Sequence, residues 1–167
     1  MPEPRLPFDP IDRAGDLWAE HFGDATAMRL ATSVMRVQQL MISALDAALK
    51  PYALTFSRYE VLVLLHFSKS GSLPLSKIGE RLMVHPTSVT SAIDRLESQG
   101  FVERVPDQDD RRRTLARLTA KGRSTVRAAT EAVSEIDFAI TGLTDRQQDD
   151  AYQLLRRLRR ASGDFPS

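Results

Sequence analysis

The stretch from Leu75 to Gly122 constrains this chain most, because its helix-breaking residues divide it into short elements of fixed order. LSKIGERL is long enough for two helical turns, and Met83 to His85 forms the turn after it. Pro86 suits the first position of a second helix, PTSVTSAIDRLES, which Gly100 closes from just past its end. FVERV and TLARLT then read as two short strands joined by the charged loop PDQDDRRR. Helix, turn, helix, strand, loop, strand is the order of a winged helix-turn-helix, whose second helix fits a major groove and whose loop reaches a minor groove.

Net charge is only +1, so its distribution carries the information. Between Lys77 and Arg127 the cations are Lys77, Arg81, Arg95, Arg104, Arg111, Arg112, Arg113, Arg117, Lys121, Arg123 and Arg127, against fewer carboxylates. The stretch before Ala25 is the reverse, dominated by Glu3, Asp9, Asp12, Asp16, Glu20 and Asp24. Positive charge collected on one block is what phosphate binding requires. Within the second helix Val89, Ile93 and Leu96 share the inward stripe, leaving Ser88, Thr90, Ser91, Asp94 and Arg95 outside. Thr87, Ser88, Thr90 and Ser91 are therefore expected to contact phosphates or base edges near the helix N-terminus, with Ser76 and Lys77 joining from the first helix. Arg95 is the candidate for a bidentate contact to guanine. At the loop tip, Asp110 is expected to orient Arg112 as a minor-groove probe, while Arg111 and Arg113 contact phosphates.

The remaining sequence reads as what positions this block. Residues 1–10, with four prolines, form a flexible arm, and 11–23 an extra amphipathic helix closed by Gly23. From 26 to 50 the residues Leu30, Val34, Val37, Met41, Ala44 and Ala48 alternate at steps of four and three, a heptad-like seam that Pro51 ends. Thr55 or Ser57 caps a mostly apolar helix, Ser57 having Glu60 three residues on in a capping-box pattern, and SGSLP is a loop. Thr119 starts a helix of roughly 33 Å that Gly142 breaks. Thr144 with Gln147 then opens a last helix bearing Ala151, Leu154, Leu158 and Ala161. The fold class is thus mainly α with a small two- to three-stranded β wing. The winged domain spans 55–119, flanked by dimerisation helices at 26–50 and 120–161. Two such seams exceed what one small domain buries, and symmetric DNA readers need two half-sites, so a homodimer is expected.

Composition narrows function further. Without cysteine there is no disulfide, thiolate metal site or thiol switch. The three histidines lie far apart, so no metal site is expected, and neither a nucleophile–base arrangement nor a phosphate-cradling glycine loop is present. No catalytic residue, enzyme activity or cofactor is expected. No apolar run reaches membrane-spanning length and MPEPRLPFDP is no signal peptide, which makes the cytoplasm the default location.

Residues from about 26 to 160 resemble the MarR family of bacterial transcriptional regulators. The most specific stretch is Asp110-Arg111-Arg112, then Leu118-Thr119, then Lys121-Gly122; Arg95-Leu96-Glu97, Gly100 and Arg104 also match. The resemblance implies a dimeric repressor on a pseudo-palindromic double-stranded operator, released by a small aromatic or anionic effector. The residues implied around that effector are Trp18, His21, Arg36, Tyr52, Phe56, Tyr59 and His66. A winged helix used only for protein contacts is the alternative.

Overall fold

A computed structural model describes residues 6–107, 110 and 113–166. The chain divides into two compact units, Met1–Ala44 and Leu45–Ser167.

In the first unit, α1 spans Pro10–Phe22. The Asp9 carboxylate accepts from the Ile11 N–H at 2.8 Å, satisfying one of the free donors of the first turn, and Gly23, at φ 94°, ends the helix. The next helix, α2, spans Thr26–Leu49 and runs on into the second unit. Arg29 donates to Asp16 at 2.6 Å, tying α2 to α1 over the buried Gly15, a position where a Cβ would strike the Arg29 side chain. Half of the predicted α2 seam is exposed in the single chain, namely Leu30, Val34 and Val37, as are Met35 and Leu40 beside them.

In the second unit a 3-10 turn at Lys50–Tyr52 leads into α3, Phe56–Phe67. The winged part follows as β1 (Ser72–Pro74), α4 (Leu75–Leu82), α5 (Pro86–Ser98), β2 (Val102–Pro106) and β3 (Thr114–Leu118). It ends in α6 (Ala120–Glu135), a second 3-10 turn at Asp137–Ala139, and α7 (Asp145–Ala161). The sheet is antiparallel in the order β1-β3-β2. The apolar run of α3 puts Tyr59, Val61, Leu62 and Leu65 in the core, where Ile78, Ile93, Leu96, Leu118, Val126 and Val133 from α4, α5, β3 and α6 are also buried.

Three expectations are corrected. SGSLP is not all loop: Ser72, Leu73 and Pro74 pair with Arg117, Ala116 and Leu115 as an edge strand, a place where Pro74 costs little because an edge N–H is dispensable. The α3 capping box at Ser57 and Glu60 does not form. The helix begins one residue before Ser57, and its first N–H, Phe56, donates instead to the Asp46 carboxylate at 2.7 Å. Last, α6 stops at Glu135 rather than running to Gly142. Asp137, Phe138 and Ala139 take left-handed backbone at φ 47°, 51° and 62°, which cannot continue a right-handed helix. The chain restarts at α7 with the Thr144–Gln147 capping box predicted from sequence.

Candidate nucleic-acid interface

The tripeptide before α5 sets its direction. Met83 turns the chain at φ 55° and His85 caps the helix, its Nδ1 accepting from the Thr87 N–H at 3.3 Å. Pro86 occupies the first turn, where no N–H is needed. Val89, Ile93 and Leu96 are buried as predicted, so the opposite face presents Thr87, Ser88, Thr90, Ser91, Asp94 and Arg95 to solvent. Thr90 donates its hydroxyl back to the Pro86 carbonyl at 3.1 Å, which leaves its lone pairs rather than its proton free for an outside partner. Ser76 and Lys77 are exposed at the start of α4, and Lys77 pairs with Glu80 at 2.7 Å.

Four of the predicted residues gather with three that the sequence did not assign to DNA contact. Thr87, Ser88, Ser91 and Arg95 form one wall of an open groove of about 560 Å³, and Thr55, Ser57 and Arg58 at the start of α3 form the other. Arg58 Nε donates to Thr55 Oγ1 at 3.1 Å, and neither Arg58 nor Arg95 has an ion-pair partner among the described residues. Two unneutralised guanidiniums facing across a row of hydroxyls make a seat for a phosphodiester oxygen. Arg58 was hidden in sequence because only the packing of α3 beside α5 brings it near Arg95.

The wing is braced against α5 at its root. Arg104 on β2 reaches across to both Asp94 and Glu97 of α5, and Glu97 also accepts from the Arg104 backbone N–H at 3.2 Å. Asp94, placed on the outer face by sequence, is therefore engaged with the wing, and it holds the Arg104 guanidinium above the usual arginine range. Arg117 pairs with Glu103 across β2 and β3 at 2.9 Å. At the loop, the Asp110 carboxylate meets Arg113 Nε at 3.2 Å, so Arg113 has a protein partner as well as a place on the surface. Arg111 and Arg112 lie outside the described residues.

The Leu118-Thr119 and Lys121-Gly122 pairs have a structural reason unconnected with a ligand. Thr119 Oγ1 accepts from the Gly122 N–H at 2.9 Å, capping α6, and donates to the Gly100 carbonyl at 2.8 Å. Lys121 Nζ donates to the Gln99 carbonyl at 2.8 Å and lies over the Phe101 ring, 5.1 Å from its centroid. Gly122 packs so close to Phe101 that a Cβ there would run into the Phe101 carbonyl oxygen. These residues lock the end of α5, the wing root and the start of α6 into one joint.

The predicted effector residues come from both units. Phe56, Tyr59 and His66 line a single cavity of about 700 Å³ between α3 and α6. Trp18 and His21 belong to α1 and Arg36 to α2, while half-buried Tyr52 stands in the 3-10 turn before α3.

A helix pair buried on one face and polar on the other, followed by a braced hairpin, defines a DNA-binding winged helix-turn-helix protein. The MarR family model matches residues 54–114, from the end of the turn before α3 to the start of β3. Among curated relatives, the HTH-type transcriptional regulator YhbI of Bacillus subtilis is 31% identical over 114 residues, covering 68% of this chain and 71% of that protein. Among solved structures, a MarR family transcriptional regulator from Streptomyces coelicolor superposes with a TM-score of 0.77 at 50% identity, covering 84% of this chain and 98% of the other. A mutant MarR from E. coli, complexed with operator DNA, reaches a TM-score of 0.72 at 25% identity over 86% of this chain and 98% of its own. The chain belongs to the MarR family of transcriptional regulators.

Proposed function

We propose that this regulator works as a cytoplasmic homodimeric repressor that places α5 of each protomer in successive major-groove half-sites of a pseudo-palindromic operator and leaves it when a small effector binds. The observation that carries the reading is the groove between α3 and α5. Arg95 is exposed on the outer face of α5 and Arg58 lines the opposite wall, and among the described residues no carboxylate pairs with either. Thr87, Ser88 and Ser91 give the hydroxyls, Arg95 the base-reading fork, and Arg58 the phosphate contact. Arg112 serves as the minor-groove probe and Arg111 as a phosphate contact, following the family resemblance. The exposed apolar faces of α2 and α7 support pairing of two chains, since such rows in a lone monomer meet water.

The test is a footprint on the DNA flanking the protein's own gene, followed by gel shifts at several salt concentrations. Binding is expected to weaken steeply with salt, and Arg58→Ala to lower operator and random-sequence affinity together while reducing the logarithmic salt slope by about 1. Arg95→Ala is expected to cost about 1–3 kcal/mol on operator and much less on random DNA. Equal losses on both DNAs for Arg95→Ala would remove its base-reading role, and full operator affinity in Arg112→Ala would remove the wing assignment.

A further inference from the structure

The cavity between α3 and α6 has an unusual charge balance. Its walls are mostly apolar, with Phe56, Tyr59, Phe67 and Phe138 contributing rings and Val63 and Val126 filling between them. Tyr59, the most buried of the rings, has its hydroxyl already engaged with Thr130 Oγ1 at 3.0 Å, so it offers a ring face and edge rather than a free polar handle. Four titratable or charged side chains reach the lining: Glu60 and His66 from α3, Arg127 and Glu131 from α6. Arg127 and Glu131 are exposed and stand one turn apart on α6, a spacing at which opposite charges offset one another. That leaves Glu60. Its carboxylate is half-buried against apolar wall, it receives no hydrogen bond or ion pair among the described residues, and burial pushes its pKa up from the ordinary carboxylate range. A carboxylate in that position has lost part of its hydration and gained nothing in exchange, which is an unmet demand for a cation or a donor.

We propose that this cavity binds a small aromatic organic cation, with its ring among Phe56, Tyr59, Phe67 and Phe138 and its charged nitrogen on the Glu60 carboxylate. The inference rests on the effector reading of the proposed function and changes the chemistry expected of the effector. An aromatic carboxylate would bring a second negative charge to Glu60, whereas an ammonium would give that carboxylate the hydrogen bonds it lacks. The electron-rich ring faces add attraction for the same sign of charge. The volume of about 700 Å³ suits a bicyclic or tricyclic ligand.

Calorimetry on the full-length protein with three probes of one shape tests this: naphthalen-2-ylmethylammonium, naphthalen-2-ylmethanol and 2-naphthoate. The cation is expected to bind about tenfold or more tightly than the neutral alcohol, as a charge-assisted hydrogen bond provides, with the anion weakest. Glu60→Gln keeps the shape of the side chain, so it is expected to abolish the advantage of the cation over the alcohol. A thermal melt of the variant checks that it is folded. The proposal is overturned if the anion matches the cation, if the preference survives in Glu60→Gln, or if no probe binds. Gel shifts of the ligand-free protein read the DNA-binding function separately. A cation that binds yet leaves the operator complex intact supports the site and overturns the effector reading alone.

Discussion

At Arg104 one guanidinium serves two carboxylates, Asp94 and Glu97, that stand one turn apart on α5. The side chains remain partly open to water, so their contribution to stability is below about 1 kcal/mol. What they fix is the angle between the reading helix and the wing. Arg104→Met is accordingly expected to melt within a few degrees of the parent while losing operator affinity, which circular dichroism and gel shift together measure. A variant that lost stability and kept affinity would reverse that assignment. Glu60 makes the opposite kind of contribution. Its folded-state pKa lies above the ordinary 4.5, so the folded chain holds the proton more tightly than the unfolded chain. Stability from this group is therefore fully present below about pH 4.5 and lost as pH rises through the raised folded value. In the ligand-free protein Glu60→Gln is expected to remove that decline and to raise the melting temperature at pH 7, which thermal melts at a series of pH values would record.

The joint where α5, β2 and α6 meet explains at the level of elements why Thr119 and Gly122 stand where they do. Gly122→Ala puts a methyl group against the Phe101 carbonyl and within 2.9 Å of Leu118 Cδ1, both held by buried neighbours. The expected cost is about 1–3 kcal/mol in urea unfolding. Elements set by local chemistry were legible in the sequence. Pro86 and Gly100 bound α5, the Thr144–Gln147 box opens α7, and the spacing of Val89, Ile93 and Leu96 gives the inward stripe. Elements set by distant partners were not. Ser72–Pro74 is a strand only because β3, some forty residues later, lies beside it, and α3 takes its cap from Asp46 of another helix. The candidate site divides the same way. The hydroxyls and Arg95 follow from helical periodicity, while Arg58 and the double pairing of Arg104 depend on tertiary packing. The left-handed turn at 137–139 has no local sequence signal: none of its three residues is glycine or asparagine.

For the molecule as a whole, most of the exposed large apolar residues fall towards the two ends of the chain. Leu154, Leu155 and Leu158 on α7 are exposed, as are Leu30 and Val37 on α2, and no residue of α7 is buried. In the proposed homodimer these rows meet a second copy. Leu154→Glu with Leu158→Glu is then expected to yield a monomer by sedimentation equilibrium and to abolish operator binding at concentrations where the parent is saturated. A dimeric double variant would place the interface elsewhere. The three-stranded sheet has a different consequence. Its middle strand, β3, is paired on one side with the rest of the hairpin and on the other with the strand that leads straight into α4. The ladder between β2 and β3 ends at Pro106 and Thr114, and just beyond it the Asp107 N–H donates to the Arg113 carbonyl at 3.1 Å. A substitution at the hairpin base is therefore felt by the helix pair as well, so the wing and the DNA-reading helices shift together rather than one at a time.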